Sequence, residues 1–597
     1  MSTTSAPSED EPRLARRFAK LVENPMLEDY SLRYAPSTFR RWSEYVVATA
    51  ALGGIAYLAD FAIGASIAIT YGFTNALVAV LLAALVIFLT SVPIAYYSAK
   101  YSIDMDLLTR GAGFGYLGST ITSLIYARFT FIFFALEGSI MAQAIQTGFG
   151  IPLWLGYLLA SLVIIPLVVF GMTLLTKVQV WTQPIWLILM FGPFVAILIN
   201  DPNAFANWTH FKGSAKSSGF DGISMGLGAG IALSLIAQIG EQVDYLRFMP
   251  AKTKATARRW WVAVLAAGPG WVILGALKQL GGGFLAFFVA SKVGLTKAGE
   301  PIQQFLGGFG SFLPAGIVIG VAVFFVLLSQ VKINVTNAYS GSLSWSNFFS
   351  RVLHWHPGRV VWVFFNVGIA LTLMEVGVFG FLNTVLGFYS NVAIAWIGAL
   401  VADLVINKPL KLSPSYVEFK RAHLYAINPV GFGSMMIASV ISILAFYKVF
   451  GATLAAYSPF LALGIAMVLA PLLAITTKGK YYIARPDTLG GEETIEGQMA
   501  PKELQCVVCN EHYEIPDMAG CPYHEGAICS LCCTLEKSCH DVCKAPEPGA
   551  DVPVIAAGGL SELGTHPRPA GAWPARRLAA RPAARSRSPT DGPIPHR

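Results

Sequence analysis

Long apolar runs recur between residues 46 and 476, and they constrain the fold of this chain more than any other feature. A helix of about 20 apolar residues is long enough to cross the hydrocarbon core of a bilayer. Charged residues make up only 13% of the chain, whereas a soluble protein carries about a quarter. The sequence therefore predicts an all-α polytopic membrane protein.

Twelve apolar stretches have the length of a membrane span. They cover residues 46–71, 74–98, 115–147, 152–175, 179–199, 222–245, 259–290, 309–340, 359–378, 380–405, 429–450 and 455–476. Lysines and arginines concentrate before the first span and in the loops after even-numbered spans. By the positive-inside rule, both termini are predicted in the cytosol. This one-sided distribution accounts for the net charge of +8, so we expect no nucleic-acid partner.

The predicted eighth span carries a polar cluster that needs a functional reason. Its members include Gln330, Lys332, Asn334 and Asn337. A charged side chain at the centre of a bilayer costs about 2.5–3.5 kcal/mol on insertion scales. We therefore interpret this cluster as the lining of a substrate and ion site in a transporter.

The predicted first span contains Asp60 between Gly53 and Gly64. Glycines and an acid in mid-span predict a discontinuous helix, and in secondary transporters such breaks present free backbone groups to substrate and ion. The alternative is a glycine-lined packing face between helices, which is common in membranes. The sixth span ends with Asp244 and Arg247 at the inner interface, where we assign these two residues a surface role.

Three motifs mark the third, sixth and eighth spans. They are Arg110 with Phe114-Gly115 and Gly118-Ser119, then Asp244-Tyr245-x-Arg247-Phe248, and then Gln330-x-x-x-Asn334-x-x-Asn337-x-Tyr339-Ser340. With these motifs, residues 20–480 resemble the nucleobase:cation symporter-1 family, which includes permeases for cytosine, purines, uracil, allantoin and hydantoins. The resemblance implies a leucine-transporter-like fold, in which a five-plus-five inverted repeat is followed by two further helices. It also implies that broken first and sixth helices surround a central site.

The resemblance assigns substrate-binding positions, and this chain departs from the family at several of them. Family members stack the nucleobase on a tryptophan of the third span, with a glutamine one turn later, where this chain has Phe133 and Glu137. A second aromatic residue in the sixth span is replaced by Leu235. The weaker aromatic sandwich extends the expected substrates beyond ordinary nucleobases to related small nitrogen heterocycles. The implied substrate-binding residues are Phe133, Glu137, Gln238, Gln330, Asn334 and Asn337.

The resemblance also implies a cation site, and the chain departs from the family there too. Members that use sodium supply two adjacent hydroxyls from the eighth span, and backbone carbonyls from the break in the first span. Lys332 and Ile333 stand at the hydroxyl positions and offer no oxygen. We expect the Lys332 ammonium to replace sodium and pair with Asp60, so that transport is sodium-independent and coupled to protons through Lys332, Asp60 or Glu137. In the alternative, Lys332 snorkels to the cytosolic interface.

Composition divides the chain into five predicted segments. After the last span the sequence becomes polar and then rich in cysteine, and it ends in a Pro, Ala and Arg-rich stretch with too little apolar sequence for a core. The segments are a cytosolic N-terminal segment 1–44, a permease-like membrane domain 45–478, a linker 479–505, a Cys-rich module 506–546 and a disordered tail 547–597.

All eight cysteines lie in the Cys-rich module. Two C-x-x-C pairs about twenty residues apart match the spacing of structural zinc sites, and cytosolic thiols stay reduced. The alternative is a redox or iron–sulfur module. The first predicted zinc site is Cys506, Cys509, Cys529 and Cys532. The candidate ligands of a second site are Cys521, Cys533, Cys539, His540 and Cys543.

Two functions from different classes fit the sequence. The first is a secondary transporter in the bacterial cytoplasmic membrane that moves the heterocycle by alternating access. The second is a permease-derived sensor that signals through the zinc module to a partner, with a lost or truncated output domain, because similar modules follow permease-like domains in bacterial signalling proteins. No nucleophile–base set or phosphate-binding loop stands out, so we predict no enzymatic activity.

Overall fold

The membrane domain is helical throughout. The computed structural model describes residues 31–169, 171–214, 219–489 and 503–544. Ten helices in these described ranges are long and apolar enough to cross a membrane, and two shorter apolar helices, Glu44–Ala56 and Leu153–Val169, lie in the first and fourth predicted spans. The predicted all-α polytopic fold is confirmed, while the count of twelve spans stays a prediction. The predicted N-terminal residues 1–30, linker residues 490–502 and the tail 547–597 lie outside the described residues.

The long helices are labelled in chain order. Asn428 shows how one of them starts, because its side chain caps the helix that begins with Pro429. The bounds are α1 Glu44–Gly53, α2 Ala59–Tyr101, α3 Ser119–Phe149, α4 Leu153–Leu162, α5 Gly171–Asn200, α6a Gly222–Ala232, α6b Ile239–Leu246, α7a Ala257–Ala267, α7b Trp271–Val293, α8 Ala315–Leu353, α9 Arg359–Val376, α10 Leu382–Ala402, α11 Pro429–Phe446 and α12 Ser458–Thr476. Short connecting helices cover Met105–Thr109, Ile164–Val169, Ala204–Thr209, Leu295–Ala298, Pro301–Phe309 and Ala452–Ala456.

The first predicted span is broken in its middle. α1 gives way to a 3-10 turn, Gly54–Ala56, and Tyr57 is extended with φ −60° and ψ 143° before α2 begins. Backbone groups on both sides of such a break have no partner within the helix. The discontinuity predicted from the glycines and the acid of this span is confirmed.

α2 is itself interrupted at Gly72, where the first and second predicted spans meet. Gly72 has a φ of 79°. A Cβ atom there would lie 2.8 Å from backbone atoms of Lys212. Glycine is required for both reasons, because it tolerates a positive φ and leaves room for the neighbouring loop.

The sixth predicted span is also irregular. A 3-10 segment, Leu233–Gln238, separates α6a from α6b. A 3-10 stretch inside a longer helix often marks a functional hinge. Irregular backbone at membrane depth is tolerated where protein buries it or where it lines a cavity. The first and sixth spans are thus both discontinuous, as the implied fold requires.

α2 and α7b pack with little space between their backbones. A Cβ atom at Gly64 would lie 1.8 Å from the carbonyl oxygen of Gln279, and one at Gly282 would lie 2.1 Å from that of Phe61. Small residues let membrane helices approach closely in this way. The contact places the middle of α7b beside the break in the first span.

The Cys-rich segment forms two β-hairpins and a short helix. β1 pairs antiparallel with β2, and β3 pairs antiparallel with β4. The first strand begins at residue 503, just before the predicted start of the module. The elements are β1 Glu503–Gln505, β2 His512–Glu514, β3 Met518–Cys521, β4 Gly526–Cys529 and α13 Ser530–Leu535.

Candidate functional site

Asp60 lies at the start of α2, directly after the break, and is buried. Its carboxylate is 3.0 Å from Nζ of Lys278 in α7b and accepts a hydrogen bond of 2.9 Å from Nε2 of Gln279. The predicted pairing of Asp60 with Lys332 is wrong, because the close packing of α2 on α7b brings a different lysine to the carboxylate.

The ammonium of Lys278 binds the break itself. It donates to the carbonyl oxygens of Ile55, at 2.6 Å, and Tyr57, at 3.0 Å. It also lies 3.7 Å from the centroid of the Tyr57 ring. Buried charges are stable when they are both paired and hydrogen-bonded, and Lys278 meets the two conditions through Asp60 and these carbonyls.

Lys332 is buried in α8 and faces α5 instead. Its Nζ donates to the carbonyl oxygen of Gln179 at 3.0 Å and to Oγ1 of Thr182 at 2.9 Å. Nε2 of Gln179 in turn donates to the carbonyl oxygen of Lys332 at 2.7 Å. The side chain joins two helices, so the alternative in which it snorkels to the membrane surface does not describe it either.

Glu137 of α3 caps the start of α2. Its carboxylate accepts hydrogen bonds from the backbone N–H groups of Leu58, at 3.2 Å, and Ala59, at 3.0 Å. The N-terminus of a helix carries partial positive charge and unpaired N–H groups, so it stabilises a carboxylate. Glu137 therefore lies at the break, where it caps the second half of the first span.

The three predicted amide residues of α8 are all buried. Asn337 donates to Oδ1 of Asn334 at 3.1 Å, and Asn334 donates to the carbonyl oxygen of Phe134 at 3.5 Å. Among the described residues, neither amide atom of Gln330 nor Oδ1 of Asn337 has a hydrogen-bond partner. Buried polar atoms are normally paired, so these atoms are available to a ligand or to water.

The predicted stacking positions are buried and apolar. The ring of Phe133 packs on that of Phe129, with centroids 4.5 Å apart, and Leu235 is buried in the 3-10 segment. Gln238 ends this segment and donates to Oε2 of Glu241 at 2.7 Å. At these positions the sixth span therefore supplies the amide of Gln238 and the carboxyl group of Glu241, and it has Leu235 where the family has an aromatic ring.

Tyr57 connects the two broken spans. Its phenol interacts electrostatically with the carboxylates of Asp60, Glu137 and Glu241. We call Asp60, Glu137, Glu241 and Lys278 the central cluster. Sequence analysis missed Glu241 and Lys278, although both are ionisable residues within predicted spans, the same signal that marked Asp60.

Asp244 and Arg247 are buried at the end of α6b, so the surface role predicted for them is wrong. Arg247 lies 3.4 Å from the carboxylate of Asp104 and donates to the hydroxyl of Tyr339 at 2.8 Å. Asp244 accepts a hydrogen bond of 3.0 Å from Tyr126. Two of the motifs that carry the family resemblance thus bind each other through Arg247 and Tyr339.

Four of the cysteines converge as predicted. The sulfur atoms of Cys506, Cys509, Cys529 and Cys532 all lie within 4.8 Å of one another. The N–H of Cys529 donates to the sulfur of Cys506, and that of Cys532 to the sulfur of Cys529, each at 3.4 Å. Hydrogen bonds among the four thiols lower the pKa of Cys506 and raise the pKa of Cys529 and Cys532. Four convergent sulfur ligands fit a tetrahedral zinc site.

The other four cysteines line a separate small cavity of about 20 Å³. Burial raises the pKa of Cys533 to about 12. His540, a predicted competitor for the second site, is not among the described residues that line this cavity. The cysteines around it are Cys521, Cys533, Cys539 and Cys543.

Glu418, His423 and Asp487 form another compact group of possible metal ligands, at the loop between α10 and α11 and just after α12. The Lys420 ammonium lies 2.8 Å from Asp487 and 3.9 Å from Glu418, and Nδ1 of His423 is 2.6 Å from Glu418. Burial acts to raise the pKa of Glu418, but Lys420 and His423 hold it at about 2. A cationic side chain is already in place, so this group is an ion-pair network.

The Cys-rich module rests on the membrane domain. Leu32, Ala422 and Leu489 join the apolar core of the module. Leu489 belongs to the described part of the predicted linker, residues 479–489, so this part of the linker packs against the module. Polar contacts come from the N-terminal segment, the end of α8, the α10–α11 loop and the chain after α12. They join Arg33 to Asp517, Ser37 to Glu514, His354 to Thr534, Lys420 to Met518, Arg421 to Cys533 and Asp541, and Arg485 to Gly520.

Solved transporters share this fold. Mhp1, a nucleobase-cation-symport-1 family transporter in a closed conformation with bromovinylhydantoin bound, matches with a TM-score of 0.55 at 15% identity, over 77% of this chain and 100% of that chain. Inward-facing Mhp1 matches with a TM-score of 0.55 at 17% identity, over 75% and 94%. A substrate-bound, outward-open Na⁺-coupled sialic acid symporter matches with a TM-score of 0.53 at 13% identity, over 78% and 97%.

These likenesses concern structure alone. No protein-family profile and no curated protein sequence matches the chain. The solved structures above share the fold, and the absence of enzymatic activity stays a prediction. The chain is a multi-pass membrane protein with the leucine-transporter-like fold that its motifs implied.

Proposed function

We propose that this chain is a secondary transporter for a small nitrogen heterocycle of the nucleobase class. We place it in the bacterial cytoplasmic membrane with both termini in the cytosol. The central cluster at the two broken spans carries the proposal, in a fold shared with a transporter solved with a hydantoin compound bound. Unpartnered amide atoms of Gln330 and Asn337 supply the directional hydrogen bonds that a heterocycle needs.

Uptake into proteoliposomes tests this function. The probes are labelled cytosine, uracil, hypoxanthine, allantoin and hydantoin, compared with protein-free vesicles. We expect uptake of at least one probe, and its loss in Glu137→Ala, which removes the cap at the break. Glu375→Ala is the matched control, because Glu375 is exposed at the end of α9. Wild-type vesicles that take up none of these probes would contradict the proposal.

We further propose that transport does not need sodium. The Lys278 ammonium already binds the carbonyl oxygens of Ile55 and Tyr57 together with the carboxylate of Asp60. A sodium ion would compete with this charge for the hard oxygen ligands of the break. Replacing external sodium with N-methylglucamine should leave wild-type uptake unchanged, and a strong stimulation by sodium would refute the idea.

We propose that the Cys-rich module holds two zinc ions. Cys506, Cys509, Cys529 and Cys532 would hold the first, in a tetrahedral structural site. The four cysteines around the second cavity, whose sulfur atoms converge less closely than those of the first site, would move together to hold the other. Structural zinc supplies folding energy to small modules of this kind, because the ligands converge only in the folded state.

Metal analysis of the purified full-length protein tests the two sites separately. We expect two zinc ions per chain in the wild type and one in either Cys509→Ser or Cys543→Ser. If the wild type holds one zinc ion, and only Cys509→Ser loses it, the proposal of a second site is refuted. Stoichiometric iron in place of zinc would support the iron–sulfur alternative.

A second candidate function, a permease-derived sensor, is favoured by the docked module. Contacts from the N-terminal segment, α8 and the α10–α11 loop would change if those elements moved on ligand binding, and the module could report that movement to a signalling partner. Hydrogen exchange of residues 503–544 with and without each heterocycle tests this reading. Exchange that changes on binding, in a protein that shows no flux, supports the sensor, and flux without a change in exchange supports the transporter.

A further inference from the structure

Glu241 has an unusual position within the central cluster. It lies in α6b, shortly after the 3-10 segment, and is fully buried. Oε2 accepts a hydrogen bond of 2.7 Å from Nε2 of Gln238. Oε1 has no hydrogen-bond partner in the part of the chain that the structure describes. A single neutral amide therefore serves this carboxyl group.

The surroundings of Glu241 are acidic. The carboxylates of Glu137, from α3, and Asp244, from its own helix, face it. Among the described residues, no lysine, arginine or histidine forms an ion pair or interacts electrostatically with Glu241. The phenols within electrostatic range are those of Tyr57, Tyr126 and Tyr245.

The other two carboxylates of the cluster have what Glu241 lacks. Asp60 has the Lys278 ammonium at 3.0 Å, and Glu137 accepts two backbone N–H groups at a helix start. The ammonium stabilises a negative charge on Asp60, and the two N–H groups stabilise one on Glu137. Burial without a cation, next to like charges, instead favours the neutral acid. Of the three carboxyl groups in the cluster, that of Glu241 has the fewest partners that stabilise a negative charge.

We propose that Glu241 carries the proton that drives transport, an inference that rests on the proposed transporter function. In the conformation described, the O–H bond of the acid is intact. When the hinge in the sixth span opens the site to the cytosol, water reaches the carboxyl group, the O–H bond breaks and the proton passes to water. Protonation from the outer side restores the neutral acid. No co-reactant is needed, because the proton moves only between the carboxyl group and water.

Infrared spectroscopy of the full-length protein in lipid vesicles tests the protonated state without any substrate. At neutral pH we expect a C=O band of a buried carboxylic acid that is absent in Glu241→Gln and retained in Glu375→Gln. Glutamine matches the neutral acid in size and charge, so Glu241→Gln should fold normally. Glu241→Asp provides a second variant, in which the band should shift rather than vanish. A band that Glu241→Gln leaves unchanged overturns the proposal.

Proteoliposomes with an imposed pH gradient test the role in coupling. One pH unit supports at most about tenfold accumulation for one proton per substrate. We expect the wild type and Glu375→Gln to accumulate a labelled heterocycle, and Glu241→Gln to lose accumulation. Accumulation by Glu241→Gln overturns the assignment to Glu241 alone. Wild-type vesicles without exchange of any of the five probes overturn the transporter function, and the proton role with it.

Discussion

Lys278 and Lys332 are both buried within predicted spans, but different groups hold their charge. Lys278 has a carboxylate, two carbonyl oxygens and an aromatic face around its ammonium. Lys332 has one carbonyl oxygen and one hydroxyl, both from α5. In this protein, the lysine ammonium with the most partners is the one beside the helix break and a carboxylate. The position that a family motif assigns to the cation is a weaker guide.

The largest expected loss of stability comes from removing Lys278, the lysine with more polar partners. Lys278→Ala leaves Asp60 buried without a cation and should lower the free energy of unfolding by about 3–5 kcal/mol. Unfolding in mixed micelles measures this change. The double variant Lys278→Met with Asp60→Asn removes both charges and should recover most of the loss. If the single and double variants are equally unstable, the ion pair is not what stabilises the break.

Removing the carboxylate should cost less than removing the lysine. In Asp60→Asn, the Lys278 ammonium keeps the carbonyl oxygens of Ile55 and Tyr57 as partners. We expect a loss of about 2 kcal/mol, the size of a hydrogen bond to a charged group. A loss equal to that of Lys278→Ala in the same micelles would mean that the carbonyl groups contribute nothing.

Lys332→Met should have a still smaller effect. The variant keeps the buried volume and removes two hydrogen bonds without stranding a carboxylate, so we expect a loss of about 1 kcal/mol. Sodium independence of uptake should be unaltered, since Lys332 does not touch the break. A larger loss than in Asp60→Asn, or new sodium dependence, would reverse the ranking of the two lysines.

Lys420 extends the comparison to a buried lysine outside the spans. Its partner Glu418 has a pKa of about 2, below the unfolded value of about 4.3. The ion pairs therefore contribute stability above pH ~4.3, and that contribution is lost as the pH falls through about 2. Hydrogen-exchange protection of residues 417–424 should fall over this range, with little change in global unfolding. Glu418→Gln should lack the transition, and a wild-type loop without it would contradict the assigned ion pairs.

The fold was largely predictable because bilayer crossing imposes strong rules on sequence. Apolar length located the helices, and the glycines around Asp60 predicted the break in the first span. The interruption at Gly72 and the 3-10 segment of the sixth span left weaker signals, because neither changes the apolar character of its stretch. The burial of Asp244 and Arg247 could not be predicted from the sequence either, because it depends on contacts with Asp104, Tyr126 and Tyr339 from other helices.

The site was predictable in part. Asp60 lies at the break as expected, because glycines and an acid in mid-span predict a discontinuous helix. Glu137 also lies there, although the sequence predicted it only as a substrate-binding or proton-coupling residue. The lysine assignment failed because it followed a motif position along α8, whereas the partner of Asp60 is set by the glycine contact between α2 and α7b. The first cysteine cluster was readable from spacing alone, because its ligands are close in sequence.

The docked module has a consequence for the order in which the protein is made. Arg33 and its partner Asp517 are 484 residues apart in sequence. At a synthesis rate of about 5–20 residues per second, the N-terminal segment emerges roughly 25–100 s before the strand that receives it. Every helix of the membrane domain is synthesised in that interval, so this contact can form only after the whole membrane domain has been made. The metal supply of the cell would then decide when a newly inserted chain is complete, because the receiving strand belongs to the module proposed to fold around zinc.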